Sequence, residues 1–372
     1  MGLLDYYKQF DGMSEDEVNS ELREEAAQRK REALAKVEPL DLSHTTWHEL
    51  PHPRIANAIT FVARRGMHRY PLDRGQELKD ELARHHGVPP DRLILGNGAA
   101  ELLGAATRAL LGPGQSLVTR WPSYPLYPLM ARRASAEVAA VTGDIQALLE
   151  AARRPGARAI VIASPSDPTG ELTTTEHLRW LLENIPEGVA VLLDEALVDF
   201  ADAQPVDASI GLLEQFPRLL VFRSFSKAWG LAGTRVGYAI GGPGSEQLLA
   251  ELDPDLGVSE LSQAGALEAI RSCRPIIEER VRRICIERPL LSAQLRERGF
   301  EVSDSQANFL WVSHPRFTGS QLAGELVRHG ITVASGQALG AAAHCRITLR
   351  SEQASKRLLG ALDNILAVQS PA

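Results

Sequence analysis

Cysteine is scarce in this chain of 372 residues. Cys273, Cys285 and Cys345 are the only three, and they lie far apart. They make no metal-ligand spacing and no disulfide framework, so no metal is expected and a reducing, cytoplasmic location fits. Long apolar runs are missing as well, and none approaches the ~20 residues of a membrane-spanning helix. The opening stretch MGLLDYYKQF is too acidic and too aromatic for a secretory signal. An excess of basic charge is also absent: the net charge is −7 and the pI about 5.9. That argues against nucleic acid or an anionic membrane as the main partner, while leaving room for a local basic pocket. There is no internal repeat and no low-complexity segment.

What is present is the composition of a soluble globular protein, 44% hydrophobic and 23% charged, with enough length for two or three domains. Residues 14–36 read as a helix: Ser14 and Glu17 have capping-box spacing, and strong helix formers follow. Its sparse apolar positions favour a solvated helix with a thin packed stripe over a partner-binding one. Residues 38–54 read as a loop. Seven short apolar runs follow: LILG (93–96), SLVTRW (116–121), AEVAAV (136–141), AIVIAS (159–164), AVLLDEAL (190–197), LLVFRSFS (219–226) and VGYAIG (236–241). Helical patterns lie between most of them, which predicts an α/β fold with a mostly parallel, doubly wound, seven-stranded sheet covered on both faces. A long charged helical pattern near 259–298 then bridges to a smaller α+β region containing FEVSD, NFLWV, ITVAS and CRITL. The expected division is an N-terminal arm (1–70), a large domain (71–255) and a small C-terminal domain (256–372).

In open α/β sheets ligands bind beyond the carboxyl ends of the strands. Here those ends carry unusual residues. LILG leads into GNGAAELL, a glycine-framed helix start whose free N–H groups suit a phosphate. Tyr124 follows SLVTR, the polar turn SPSDPTG follows AIVIA, Asp194 ends AVLL, and RSFSKAWGLAGTRVG follows LLVF with one lysine, Lys227, and Arg235 eight residues later. Singly each has a plain alternative: an ordinary turn, a core tyrosine, a satisfied buried acid, a surface lysine. Together they suggest a phosphate cradle, a stacking ring, an acid and an amine at one sheet edge.

The pattern resembles the fold-type-I pyridoxal-phosphate-dependent enzymes, in particular the class I/II aminotransferases near histidinol-phosphate aminotransferase. The resemblance runs from about Leu42 to the end of the chain. It rests on S-x-S-K-x-x-x-x-x-G-x-R from Ser224 to Arg235, placed with Lys227 33 residues after Asp194. GNGAAELL, PSY at Pro122–Tyr124, PTG at Pro168–Gly170, QANFLW at Gln306–Trp311, CRITL at Cys345–Leu349 and the YP at Tyr70 add to it. The resemblance implies pyridoxal 5'-phosphate as cofactor, with Lys227 and Asp194 catalytic. Lys227 would form the Schiff base with the cofactor aldehyde, and Asp194 would pair with the pyridine nitrogen. Ser224, Ser226, Arg235 and the backbone N–H groups of Ala99 and Ala100 would hold the phosphate, and Tyr124 would stack on the ring. Tyr70 would reach the phosphate of a second subunit, which implies a homodimer with shared sites. Arg346, with Asn308 beside it, would clamp the substrate α-carboxylate, and Trp47 would face the substrate side chain. The implied reaction moves an amino group from an amino acid to a 2-oxo acid.

The chain departs from the family pattern in five places. Asp167 stands where Asn is usual before Pro-Thr-Gly, and Leu197 where Tyr is usual. Both usual residues donate to the cofactor's phenolic oxygen, so their loss predicts an imine that keeps its proton to higher pH. Thr45-Thr46-Trp47-His48 replaces Asn-Glu-Asn-Pro. Ala334 takes the place of an arginine found in members with phosphorylated substrates, which predicts poor use of histidinol phosphate, and Arg350 takes the place of a glycine. These changes keep open another pyridoxal-phosphate reaction (decarboxylation, elimination or a biosynthetic cyclisation) and, from a different class, a non-catalytic cofactor-binding partner protein.

Overall fold

The computed structural model describes residues 38–71 and 74–368, together with Ser14, Glu17, Ser20, Arg23, Glu24 and Gln28. At the expected N-terminal helix the capping box is formed. The Glu17 N–H donates to Ser14 Oγ at 3.4 Å, and the Ser14 N–H donates to the Glu17 carboxylate at 2.8 Å. Most of that segment lies outside the described residues.

The elements in chain order begin with β1 (Leu40–Leu42), α1 (Pro53–Gly66), α2 (Gln76–His86), β2 (Leu93–Gly96), α3 (Ala99–Leu110) and β3 (Ser116–Arg120). Next come α4 (Leu126–Arg133), β4 (Glu137–Val141), α5 (Ile145–Ala152), β5 (Ala157–Ala163), α6 (Thr175–Asn184), β6 (Ala190–Asp194), β7 (Leu219–Ser224) and β8 (Gly237–Gly241). The chain continues through α7 (Glu246–Leu252), α8 (Glu260–Ser272), α9 (Arg274–Glu297), β9 (Glu301–Val302) and β10 (Phe309–Ser313). It ends with α10 (Gly319–Val327), β11 (Ile331–Ser335), β12 (His344–Thr348) and α11 (Glu352–Val368).

All seven apolar runs form strands of one sheet, in the order β2-β8-β7-β6-β5-β3-β4. Successive side chains of a strand point to opposite faces. Accordingly Val191, Leu193, Leu219 and Val221 join the core under α2, α5, α6 and α8, while Leu192, Leu220 and Phe222 join the core under α3, α4 and α7. A sheet buried on both faces needs apolar residues at every position, which is why these strands are continuous runs. Only β8 runs antiparallel to both neighbours. The ends of β2 and β7 and the start of β8 therefore meet at one edge, where Gly237 is in register with both Gly96 and Ser224.

The second sheet has five strands, β1-β11-β12-β10-β9, with its own apolar core. Its first strand comes from the N-terminal side of the chain: Leu40–Leu42, read as loop, pairs parallel with Ile331–Val333. Three residues are too short to show a period, and only the partner strand makes them a strand. The long pattern at 259–298 is two helices broken at Cys273. Pro275 lacks the N–H that would continue the ladder and sits in the first turn of α9 instead.

Candidate active site

Five of the six parallel strands lead into site residues on the same edge. Asp194 is the last residue of β6 and Ser224 the last of β7, with Lys227 three residues on; Asp167 follows β5 and Tyr124 follows β3. Arg235 lies just before β8 and reaches the same edge because that strand is reversed. The N-terminus of α3 closes the edge at Ala99 and Ala100. These residues line one cavity of about 180 Å³, together with Thr46, Tyr127, Leu197 and Ser226.

One end of the cavity is built for an anion. Gly98 (φ 91°) caps α3, and a Cβ there would lie 2.4 Å from Arg235 Nη2. A Cβ on Gly237 would lie 2.3 Å from the backbone nitrogen of Ala99. Only glycine lets the helix start approach Arg235 and β8 so closely. Arg235 itself has φ 55°, a left-handed conformation uncommon for a residue with a side chain. Its guanidinium donates to backbone carbonyls and, at 3.5 Å, to Ser226 Oγ; none of these bonds is to a carboxylate.

The other end holds the amine and the acid. Lys227 Nζ donates to Thr45 Oγ1 at 2.5 Å. Burial lowers its pKa below the usual lysine range; Asp167 and Asp194 oppose the shift and Arg346 and Arg235 add to it. Asp194 accepts from the Tyr127 hydroxyl at 2.7 Å and from the Ala196 N–H at 3.1 Å. Burial still pushes its carboxyl upward, with these bonds only partly offsetting it. Tyr124 packs edge-on to Tyr127, with ring centroids 5.5 Å apart.

Of the residues singled out in the sequence, Lys227, Asp194, Ala99, Ala100, Tyr124, Asp167, Ser224, Ser226 and Arg235 come together in this cavity. Arg346 lies behind Asp167 and is ion-paired to it, so Asp167 reaches Arg346 and is not turned to solvent. Asn308 donates to the Thr45 carbonyl at 2.9 Å, which ties β10 to the segment over Lys227. Trp47 does not line the cavity. It is buried with Arg280 and Arg283 at 5.0 and 5.5 Å from its ring, and its Nε1 donates to Glu49. Thr46 lines the cavity instead, and Thr45 meets Lys227, while the indole packs against Arg280 and Arg283. Tyr70 is 76% exposed and stands outside the cavity. Sequence reasoning missed Tyr127, and it noted Thr45 only as part of the altered Thr45-Thr46-Trp47-His48 segment. Tyr127 had a signal, three residues after Tyr124 on the first turn of α4; the contact of Thr45 with Lys227 had none, since the two are 182 residues apart.

A seven-stranded, mostly parallel sheet with an amine, an acid and an anion cradle at its carboxyl edge is the architecture of a cofactor-dependent group-transfer enzyme. The family model for aminotransferase class I and II matches residues 35–362, and the chain belongs to that family. It is 32% identical to an aromatic amino acid aminotransferase of Cutibacterium acnes over 76% of this chain and 80% of that one. It is 33% identical to a histidinol-phosphate aminotransferase of Geobacillus over 80% and 82%. The histidinol-phosphate aminotransferase of Sinorhizobium meliloti, solved in complex with pyridoxal-5'-phosphate, superposes with a TM-score of 0.79 at 26% identity, covering 92% of this chain and 95% of that one. The fold is also that of Thermus thermophilus aspartate aminotransferase, with a TM-score of 0.79 at 21% identity. The protein is a pyridoxal-phosphate-dependent aminotransferase of fold type I. The cavity fits that cofactor: an anion cradle, an amine and a carboxylate lie on one floor. Among the described residues, no helix is long and apolar enough to cross a membrane.

Proposed function

We propose that Lys227 and Asp194 carry out the amino-group transfer, that Ser224, Ser226, Arg235 and the first turn of α3 hold the cofactor phosphate, and that Tyr124 covers its ring. The observation that carries this reading is the meeting of Lys227, Asp194 and Arg235 in one cavity from three separate strand ends. Bound pyridoxal phosphate supplies an aldehyde that condenses with amines and a protonated ring that accepts an electron pair. Lys227, its pKa lowered by burial, gives up its proton for that condensation more readily than an exposed lysine; once displaced, its Nζ would take a proton from the amine-bearing carbon and return it. Asp194 would pair its carboxylate with the ring nitrogen and hold the proton there. Tyr127 orients that carboxylate. Thr45 and Thr46 close the substrate side.

The donor and acceptor are an amino acid and a 2-oxo acid, with an apolar or aromatic side chain favoured over a phosphorylated one. Ala334, beside Arg346 in the β11–β12 register, offers no cation for a phosphate. The active species is a homodimer in which the exposed Tyr70 completes the second subunit's site, and the enzyme works in the cytoplasm in amino-acid biosynthesis. Borohydride reduction of the holoenzyme followed by peptide mapping tests the central assignment. The label is expected on Lys227, and Lys227→Ala is expected to lose both the label and amine exchange. A label on any other lysine refutes the assignment.

A further inference from the structure

The Arg346 guanidinium acts on Lys227 at the amine-and-acid end of the cavity, and it is already engaged. Its Nη1 donates to Asp167 and its Nη2 donates to the Ser43 carbonyl at 3.0 Å. Its Nε is buried with no partner, and its Cζ lies 5.4 Å from the Phe309 ring. Asp167 lines the cavity and Arg346 does not. Both side chains are about nine-tenths buried, at 12% and 11% exposure. A ligand entering from the Lys227 side therefore meets the Asp167 carboxylate before it meets the guanidinium.

Bidentate recognition of a carboxylate needs two parallel N–H donors of the guanidinium fork. Here one end of the fork is held by a resident carboxylate and the other by a carbonyl. An incoming carboxylate must displace Asp167 or share the cation with it, and sharing puts two negative charges side by side in a buried site. The other charged groups that act at this end are Lys227, Asp194 and Arg235. Tyr124 and Tyr127 also face Asp167 and Asp194. Lys227 is engaged by the reaction and Arg235 by the cofactor phosphate on the proposed reading, so neither is spare to compensate a second carboxylate.

We propose that Asp167 is a specificity-determining residue that competes with the substrate's carboxylate for Arg346. The wild-type pocket thereby discriminates less than an uncharged variant would between ligands carrying a carboxylate and ligands carrying an uncharged group in that position. The proposal rests on the reading of Arg346 as the carboxylate site of the aminotransferase pocket. It gives the acid at position 167 a role in choosing the amino donor, apart from any effect on the cofactor.

The test uses pyridoxal-phosphate-loaded holoenzyme and measures equilibrium binding of two isosteric probes, 3-phenylpropionate and 3-phenylpropanamide. Asp167→Asn keeps shape and removes the charge. It is expected to tighten 3-phenylpropionate about tenfold, about 1.4 kcal/mol, and to leave the amide unchanged. Asp167→Glu is expected to restore weak carboxylate binding. A change in packing alone would move both probes together, so an equal shift of both overturns the proposal. No gain on the carboxylate overturns it as well. Cofactor absorbance separates the two levels: a protein that holds no pyridoxal phosphate refutes the reading of the pocket, and the proposal falls with it. A holoenzyme that holds the cofactor and treats both probes alike refutes the proposal alone.

Discussion

Asp194 and Glu195 are adjacent, both buried and both acidic, yet they face different regions. Asp194 turns into the cavity and has two donors, the Tyr127 hydroxyl and the Ala196 N–H. Glu195 turns the other way and meets Arg223, whose Nε and Nη2 reach its Oε2 at 2.9 and 2.8 Å. Arg223 also donates to Asp207 at 2.6 Å and to the Val206 carbonyl at 2.7 Å. His86 completes this region with Nδ1 on Asp207 and Nε2 on the Tyr238 hydroxyl. Burial opposes the charge on Arg223, but Glu195 and Asp207 hold its pKa above the usual value. In one region the charges are closed on each other. In the other a carboxylate has no guanidinium paired to it; burial raises the pKa of both acids, and Glu195 alone has Arg223 hydrogen-bonded against that shift. A satisfied buried cluster stabilises the fold; an unsatisfied one is poised for a charge that arrives with a ligand.

Paired substitutions should separate the two regions most strongly. Glu195→Gln leaves Arg223 short of a buried counter-charge and should cost about 3–5 kcal/mol of stability in urea unfolding. Asp194→Asn should leave the cofactor-free protein as stable as the parent or more so, while amino transfer falls about 10²–10³-fold. The difference comes from the partner left behind, Arg223, and not from linkage, which has one sign for both acids: a carboxyl whose pKa is raised by folding contributes stability at low pH. That contribution is lost as the pH climbs from the unfolded carboxylate range through the folded value. Equal destabilisation by both variants would erase the distinction.

A smaller effect is expected from Tyr127→Phe. The hydroxyl lowers the Asp194 pKa, so its loss raises that pKa and moves the acid limb of the kcat profile to higher pH. The rate at neutral pH should fall about tenfold, about 1.4 kcal/mol. An acid limb that stays in place would detach Tyr127 from the proposed work of Asp194.

The smallest effect concerns the amine. Asp167 favours the charged form of Lys227, against burial. Asp167→Asn should therefore shift the pH midpoint of pyridoxal phosphate uptake downward, because the neutral amine becomes available at lower pH. An unmoved or upward midpoint would show that Asp167 does not act on Lys227.

Much of the fold could be read from the chain because buried parallel strands need uninterrupted apolar residues, and seven such runs became seven strands. The strand at Leu40–Leu42 could not, because its partner Ile331–Val333 is remote in sequence. The chemistry at the strand ends was visible for a related reason. Polar residues such as Asp194 and Lys227 directly after apolar runs have no packing rationale. Trp47 misled because residue type says nothing about direction: Arg280 and Arg283 hold its ring away from the cavity.

The sequence alone therefore determined the sheet, the family motif and the amine, acid and arginine at its edge, since these depend on local pattern and short spacing. Tertiary structure alone decided which charges are spent and which are free. The DEAL stretch contains two acids, and nothing in it says that Glu195 meets Arg223 while Asp194 meets only a tyrosine hydroxyl and an amide. Asp167 follows β5 and Arg346 lies on β12, 179 residues apart, and neither carries a mark of the other. Electrostatic partnership is set by distance and burial in space, and only the folded arrangement of the elements supplies both.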